Sequence, residues 1–427
     1  MSELRDFHSG RSYAEQLDAA DPLRAFRARF AIPRTEDNEE VVYLCGNSLG
    51  LMPQNAARYV NDELDTWKNA AVDGHFDGKR PWYGYHEQFT NLAAHVVGAD
   101  PGEVVIMNSL TVNLHLMMVS FYRPTTTRHR ILIEENAFPS DRYAVESQAR
   151  FHGFDPDEAI VVMRPRDGED LLRTEDIESL LASDDGQKVA LVLMGGVNFY
   201  TGQAYDLERI ARAARKAGAV CGFDLAHAAG NMPVQLHDWD VDFACFCTYK
   251  YLNAGPGSVA GCFVNARYDD DKTLPRFAGW WGNDPQTRFK MEDRFTPQRG
   301  AAGWQLSNAP IFSMAALLAS LEIFEEAGMV RLREKAMLQT AYLLRLVDEI
   351  GHGAFRVITP REPQARGCQI SLRAPGDAKR LRDLLQARGV VSDFRPPDVV
   401  RVAPVPLYNS FVDVWRFAQV LKESVGA

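Results

Sequence analysis

Two residues of this chain have types and settings that could do covalent chemistry together. Asp224 ends the apolar run 219–223, and Lys250 closes the triplet Thr248, Tyr249, Lys250 just after a second run, 241–247. An apolar run that stops at a carboxylate reads as a buried parallel strand delivering a side chain into a cleft. Ligands of open α/β sheets bind beyond the carboxyl ends of the strands, so neighbouring strands would present Asp224 and Lys250 to one crevice. The plainer alternative is that Asp224 caps a turn and Lys250 is solvated.

An amine facing an acid suits pyridoxal phosphate (PLP). Its aldehyde takes a lysine as a Schiff base, and an anion at the ring nitrogen keeps the pyridine protonated and able to absorb electrons. A lysine displaced by substrate becomes a base. Other stretches could line the same site. Asn108 or Ser109 can cap the apolar stretch 110–119. Its amino end offers free N–H groups, the helix dipole and the Thr111 hydroxyl to a phosphate, although capping alone explains the same residues. Phe138 follows the strand-like run 131–133 and could lie flat on a planar cofactor or fill the core. Gly46 to Gly50 frames Ser48 as a turn, without the spacing of a dinucleotide loop. His75 lies in 74–83, a stretch mixing glycines, aromatics and charges as site-lining loops do.

The elements that must position these residues are legible as periodicity. Strand-like runs at 103–107, 131–133, 160–163, 189–194, 219–223 and 241–247 alternate with helical stretches at 110–119, 174–181 and from Asp206 onward. Such alternation specifies an α/β fold, a mostly parallel sheet with helices on both faces. A further strand is expected at 258–264. Ala57, Val60, Leu64 and Trp67 recur at helical spacing, which predicts a helix packed by that face. From residue 312 the texture becomes helix-rich, with strands expected at 355–359, 368–372 and 399–404. We therefore expect a large α/β domain over 46–311 and a smaller α+β domain from 1–45 with 312–427.

With 427 residues, two domains are the natural expectation. A formal charge of −10, without any Lys/Arg run, argues against a nucleic-acid surface. The six scattered cysteines read as buried free thiols, hence a reducing compartment. Glu3, Arg5 and Asp6 argue against a signal peptide, and no apolar run approaches the ~18 residues of a membrane span. A cytoplasmic protein acting on small molecules is expected, with no membrane or nucleic-acid partner. No HxxxH or CxxC spacing suggests a metal.

Five motifs in register resemble the kynureninases, within the fold-type I PLP-dependent enzymes. They are Gly222 to Ala228, His237 to Trp239 with Val241 to Cys245, Tyr249 to Asn253, Phe138 to Asp141, and Arg401 to Ser410. The likeness runs from Tyr43 onward. It implies a large, mostly parallel seven-stranded sheet with a smaller α+β domain. It also implies a homodimer with sites shared between subunits, and hydrolytic cleavage of the Cβ–Cγ bond of L-kynurenine or 3-hydroxy-L-kynurenine. The products would be alanine and an anthranilate, within tryptophan catabolism and NAD biosynthesis.

Carried over by position, the resemblance makes Lys250, Tyr249 and Asp224 the catalytic residues. Lys250 would hold the cofactor and abstract the Cα proton, Asp224 would face the ring nitrogen, and Tyr249 would be a proton donor. Leu110, Thr111 and Tyr249 would contact the phosphate. Phe138 would stack on the ring, with Pro139, Ser140, Asp141 and His227 around it. Trp280 and Asn308 would reach the site from the partner subunit. Arg401 would grip the substrate carboxylate, and Ser48, His75 and Asn308 would line the aryl pocket, with a lean toward the 3-hydroxy substrate. Gly195 stands where some relatives carry serine, which leaves one hydrogen bond to be supplied otherwise. Two rival readings are a cysteine desulfurase, for which Cys368 is the one candidate thiol, and a non-catalytic PLP-binding regulator.

Overall fold

The computed structural model describes residues 7–271, 273–351, 354–374 and 376–425; Glu3, Arg5 and Asp6 lie outside them. Its centre is a seven-stranded sheet. We number these strands β1 (Val104–Ile106), β2 (Arg130–Glu134), β3 (Ile160–Met163), β4 (Val189–Gly195), β5 (Val220–Asp224), β6 (Phe243–Phe246) and β7 (Gly261–Val264). Their spatial order is β1-β7-β6-β5-β4-β2-β3. The pairs β2–β3, β2–β4, β4–β5 and β5–β6 are parallel, while β7 runs antiparallel to both its neighbours.

The strands read as continuous apolar runs because both faces are covered. Leu132, Val192, Phe223 and Ala244 enter one core, shared with the helices Leu207–Ala217 and Ile311–Ala327. Ile133, Leu193, Phe243 and Cys245 enter the opposite core, beneath the helices Leu110–Phe121 and Pro139–Phe151. A third core joins Phe7, Val42 and Leu44 to residues between Tyr342 and Leu421. It is built on a four-stranded antiparallel sheet in the order Asp393–Arg395, Val399–Val402, Ile370–Arg373, Arg356–Val357. The carboxyl-terminal strands are thus shorter than the runs expected at 355–359 and 368–372.

Two local expectations fail. The helix Ala56–Ala70 forms, but it buries Ala56, Tyr59 and Glu63, and leaves Leu64 and Trp67 42% and 59% exposed. Glu63 tolerates burial because Arg80 (2.8 Å), Trp82 Nε1 (2.9 Å) and the Tyr85 hydroxyl (3.2 Å) all donate to it. Ser109 precedes the helix Leu110–Phe121 but makes no side-chain cap, so the first-turn amides are left for another acceptor.

Candidate active site

Three adjacent strands end side by side at the site. Glu134 closes β2, Gly195 closes β4 and Asp224 closes β5, with Gly195 in register with Asp224. Lys250 follows β6, four residues beyond its end. Asp224 and Lys250 line one cleft of about 710 Å³ of space, partly open to solvent, although each is more than 90% buried. Leu110, Thr111, Phe138, Ser140, Asp141, His227 and Tyr249 line it too.

The lysine amine meets Nε2 of His227 at 3.0 Å and lies 5.7 Å from the centre of the Phe138 ring. Phe138 is 44% exposed, so it is a wall of the cleft and no part of the core. Burial, with the charges of Lys250, Arg401 and Arg395, pushes His227 far below its usual range and keeps the imidazole neutral. Asp224 accepts from the Ala226 N–H at 2.7 Å. Burial raises both Asp141 and Asp224, but Asp141 rises further because it faces the charge of Asp224. Asp141 therefore holds the proton of the hydrogen-bonded pair, and Asp224 carries the negative charge opposite Lys250. Burial and the neighbouring Cys247 raise the Tyr249 hydroxyl, which stays protonated.

The helix Leu110–Phe121 begins at the cleft, where the Thr111 and Ser140 hydroxyls lie 2.8 Å apart. Pro139 is the first residue of the helix Pro139–Phe151 and does not line the cleft. It fixes that helix start and leaves Ser140 and Asp141 to face inward. The turn Gly46 to Gly50 abuts the lysine segment. The Gly50 N–H donates to the Tyr249 carbonyl at 2.8 Å, and a Cβ at Gly50 would come within 2.3 Å of the Lys250 carbonyl oxygen. Ser48 is half-buried in that turn, outside the cleft lining.

Four further expected residues are not brought to this cleft. Arg401 is buried on Val399–Val402, paired with Asp393, and donates to the carbonyl of Phe199 at 2.5 Å. Phe199 itself lines the cleft, so Arg401 stands one residue behind the wall. His75, Trp280 and Asn308 lie on the surface. The Trp280 ring packs against Phe289 at 5.9 Å, Phe289 against Phe76 at 6.4 Å, and Phe76 against His75 at 6.3 Å. Asn308 is exposed two residues past Leu306, whose carbonyl accepts from the Trp281 N–H.

The sequence reading missed Glu134 and Phe199 in the cleft wall. Glu134 ends an apolar strand just as Asp224 does, so the same signal could have found it. The residues present fit PLP: an amine and a charged acid line one cleft, an aromatic ring walls it, and uncapped helix amides with two hydroxyls await an anion. The buried Nδ1 of His227 has no partner among the described residues, which leaves a polar atom for a ligand to meet.

Comparison with known proteins decides among the enzymes that could use such a cleft. Residues 332–421 match the family model of the kynureninase C-terminal domain. The chain is 54% identical over 416 residues to the kynureninase of Myxococcus xanthus (strain DK1622), covering 97% of each. It is 53% identical over 413 residues to that of Koribacter versatilis (strain Ellin345), again covering 97% of each. The chain belongs to the kynureninase family.

Solved structures share the fold of this kynureninase-family chain at low identity. The cysteine desulfurase CsdA of Escherichia coli superposes with a TM-score of 0.75 at 16% identity, covering 95% of this chain and 98% of that one. The apo cysteine desulfurase of Thermococcus onnurineus NA1 gives 0.73 at 18% identity, covering 90% and 95%. The one candidate thiol of the desulfurase reading, Cys368, is unusable. Cys368 is 1% exposed, and burial pushes its thiol up to about 12.

Proposed function

We propose that this protein is a PLP-dependent hydrolase that cleaves the Cβ–Cγ bond of kynurenine or 3-hydroxykynurenine, releasing L-alanine and the corresponding anthranilate. The observation that carries the reading is Lys250 and Asp224 lining one buried cleft in a chain of this family. When bound, PLP supplies an electron sink for charge developing at the substrate Cα.

The chain's own residues supply the rest. Lys250 would hold the cofactor aldehyde and, once free, would take the Cα proton. Asp224 would keep the ring nitrogen protonated, with Asp141 neutral beside it. His227 receives the lysine N–H and orients the amine. Phe138 would stack on the ring; Leu110, Thr111 and Ser140 would receive the phosphate with the helix amides, and Pro139 sets the start of the helix that carries Ser140. Tyr249, held protonated, donates a proton as the Cβ–Cγ bond breaks. Water adds to the Cγ carbonyl, so its oxygen leaves in the carboxylate of the anthranilate and a proton ends on Cβ of alanine. Arg401 takes the substrate α-carboxylate once Phe199 yields, with Asp393 holding the guanidinium meanwhile.

The unit is proposed to be a homodimer. Leu49, Met52, Leu64, Trp67 and Phe312 are each more than a third exposed, and several line a groove of about 1650 Å³ of space, open to solvent, beside Gly50. An apolar surface of that extent calls for cover. A second copy there would bring His75, Trp280 and Asn308 to the neighbouring cleft, with Ser48 at the join. These polar groups favour the 3-hydroxy substrate. We also propose the division into 46–311 and 1–45 with 312–427, with the helix Ile311–Ala327 at the boundary, its buried side chains in the larger core. No described helix is long and apolar enough to cross a membrane, and the free cysteines support a reducing cytoplasmic location.

The test pairs a spectrum with an assay. Protein reconstituted with PLP should show a visible absorbance band that is missing in Lys250→Ala. It should release fluorescent anthranilates, with a higher kcat/KM for 3-hydroxykynurenine. A band without product from either substrate would overturn the reading, and a large excess for plain kynurenine would reverse the substrate order.

A further inference from the structure

Glu134 is a carboxyl that the chemistry above leaves without a task. It is 4% exposed and lines the same cleft as Lys250. Its Oε1 accepts from the Gly195 N–H at 3.1 Å, while its Oε2 is buried with no partner among the described residues. The topology explains why it faces Asp224: β4 lies between β2 and β5 and ends in a glycine, so no side chain separates the two acids. A Cβ on Gly195 would lie only 3.0 Å from Oε1.

We propose that Glu134 is a positioning residue of the cofactor site: a third carboxyl that, beside Asp141 and Asp224, sets the charge felt at the ring-nitrogen end of the cleft. The proposal rests on the PLP reading above. The titratable groups that face Glu134 among the described residues are Asp224 from β5, Asp141 from the helix Pro139–Phe151 and Tyr205 after β4, while β3 sets the uncharged Met163 beside it. Lys250 is the cation across the cleft. Burial first, and then the charge of Asp224, raise Glu134 to about 7, against the pull of the Gly195 N–H. The carboxyl thus changes charge within the working pH range, and its anion favours positive charge on a nearby ligand.

The readout is the pH midpoint of the visible band of PLP-reconstituted protein. In Glu134→Gln the isosteric amide keeps an acceptor for Gly195 but no charge. The midpoint should fall by about half a pH unit or more, while Glu134→Asp returns it toward the native value. A glutamine variant with a native midpoint overturns the proposal, and so do equal displacements in both variants, which would mark altered packing instead of charge. If Glu134→Gln does not fold, Glu134→Met, of similar volume and without charge, is read instead: a midpoint lowered by about half a pH unit or more supports the proposal and a native one overturns it. Presence of the band in the native protein tests the cofactor reading, and its midpoint tests Glu134.

Discussion

The Lys250 amine donates to Nε2 of His227 across 3.0 Å, and the other ring nitrogen of that histidine is buried without a partner among the described residues. The pair couples the strand end at Asp224 to the segment after β6, because His227 stands three residues beyond Asp224. A neutral imidazole is the right partner, since a second cation would repel the amine. His227→Phe should leave the buried lysine short of an acceptor, a loss of about 1–3 kcal/mol. Urea unfolding of the apoprotein should then give a stability lower by that amount. His227→Gln, which restores an acceptor, should recover most of it. Native stability in the phenylalanine variant would show that the contact is idle.

Gly50 should matter as much as its distant place in sequence hides. A methyl group there would press on the Lys250 carbonyl at 2.3 Å and on the Asn253 side chain at 2.2 Å. Overpacking of this kind costs about 1–3 kcal/mol. Gly50→Ala should fold with a lowered Tm and a reduced kcat, because the backbone that aims the lysine must shift. An unchanged Tm and kcat would mean that the segment yields freely.

His86 should shape the acid limb of stability. Burial, and then the charge of Arg288, lower it to about 4. An unfolded chain binds this proton below pH 6.5, and the native one only near pH 4. Stability from this group is therefore intact above pH 6.5 and is lost as pH falls toward 4, by up to about 1.4 kcal/mol per unit. His86→Asn should flatten that limb in urea titrations at pH 6.5 and 4.5. A slope equal to the native one would count against it.

Trp67 should hold the proposed dimer together. It is 59% exposed, and its ring lies 6.0 Å from that of Phe312, itself 40% exposed. Trp67→Glu should sediment as a monomer that still shows the visible band yet has lost at least about tenfold in kcat/KM, as follows if a partner completes the aryl pocket. A fully active monomer would refute shared sites.

The strand endings at Asp224 and Lys250 were legible because a strand covered on both faces is a local pattern: apolar residues run until the chain leaves the sheet. The same rule should have picked out Glu134, but which strand ends meet depends on the order β2-β4-β5, and no local pattern specifies that order. The stripe Ala57, Val60, Leu64, Trp67 announced a helix correctly. Periodicity could not say whether the stripe faced the core or the outside, since both present the same apolar spacing. Arg401 was identifiable by likeness alone; that Phe199 stands between it and the cleft follows from long-range packing. Sequence by itself determined the kinds of chemistry and the elements that carry them, because these are set within a few residues. Tertiary structure decided which acids share one buried cleft, because their proximity arises from strand order and from a glycine that leaves the space between them open.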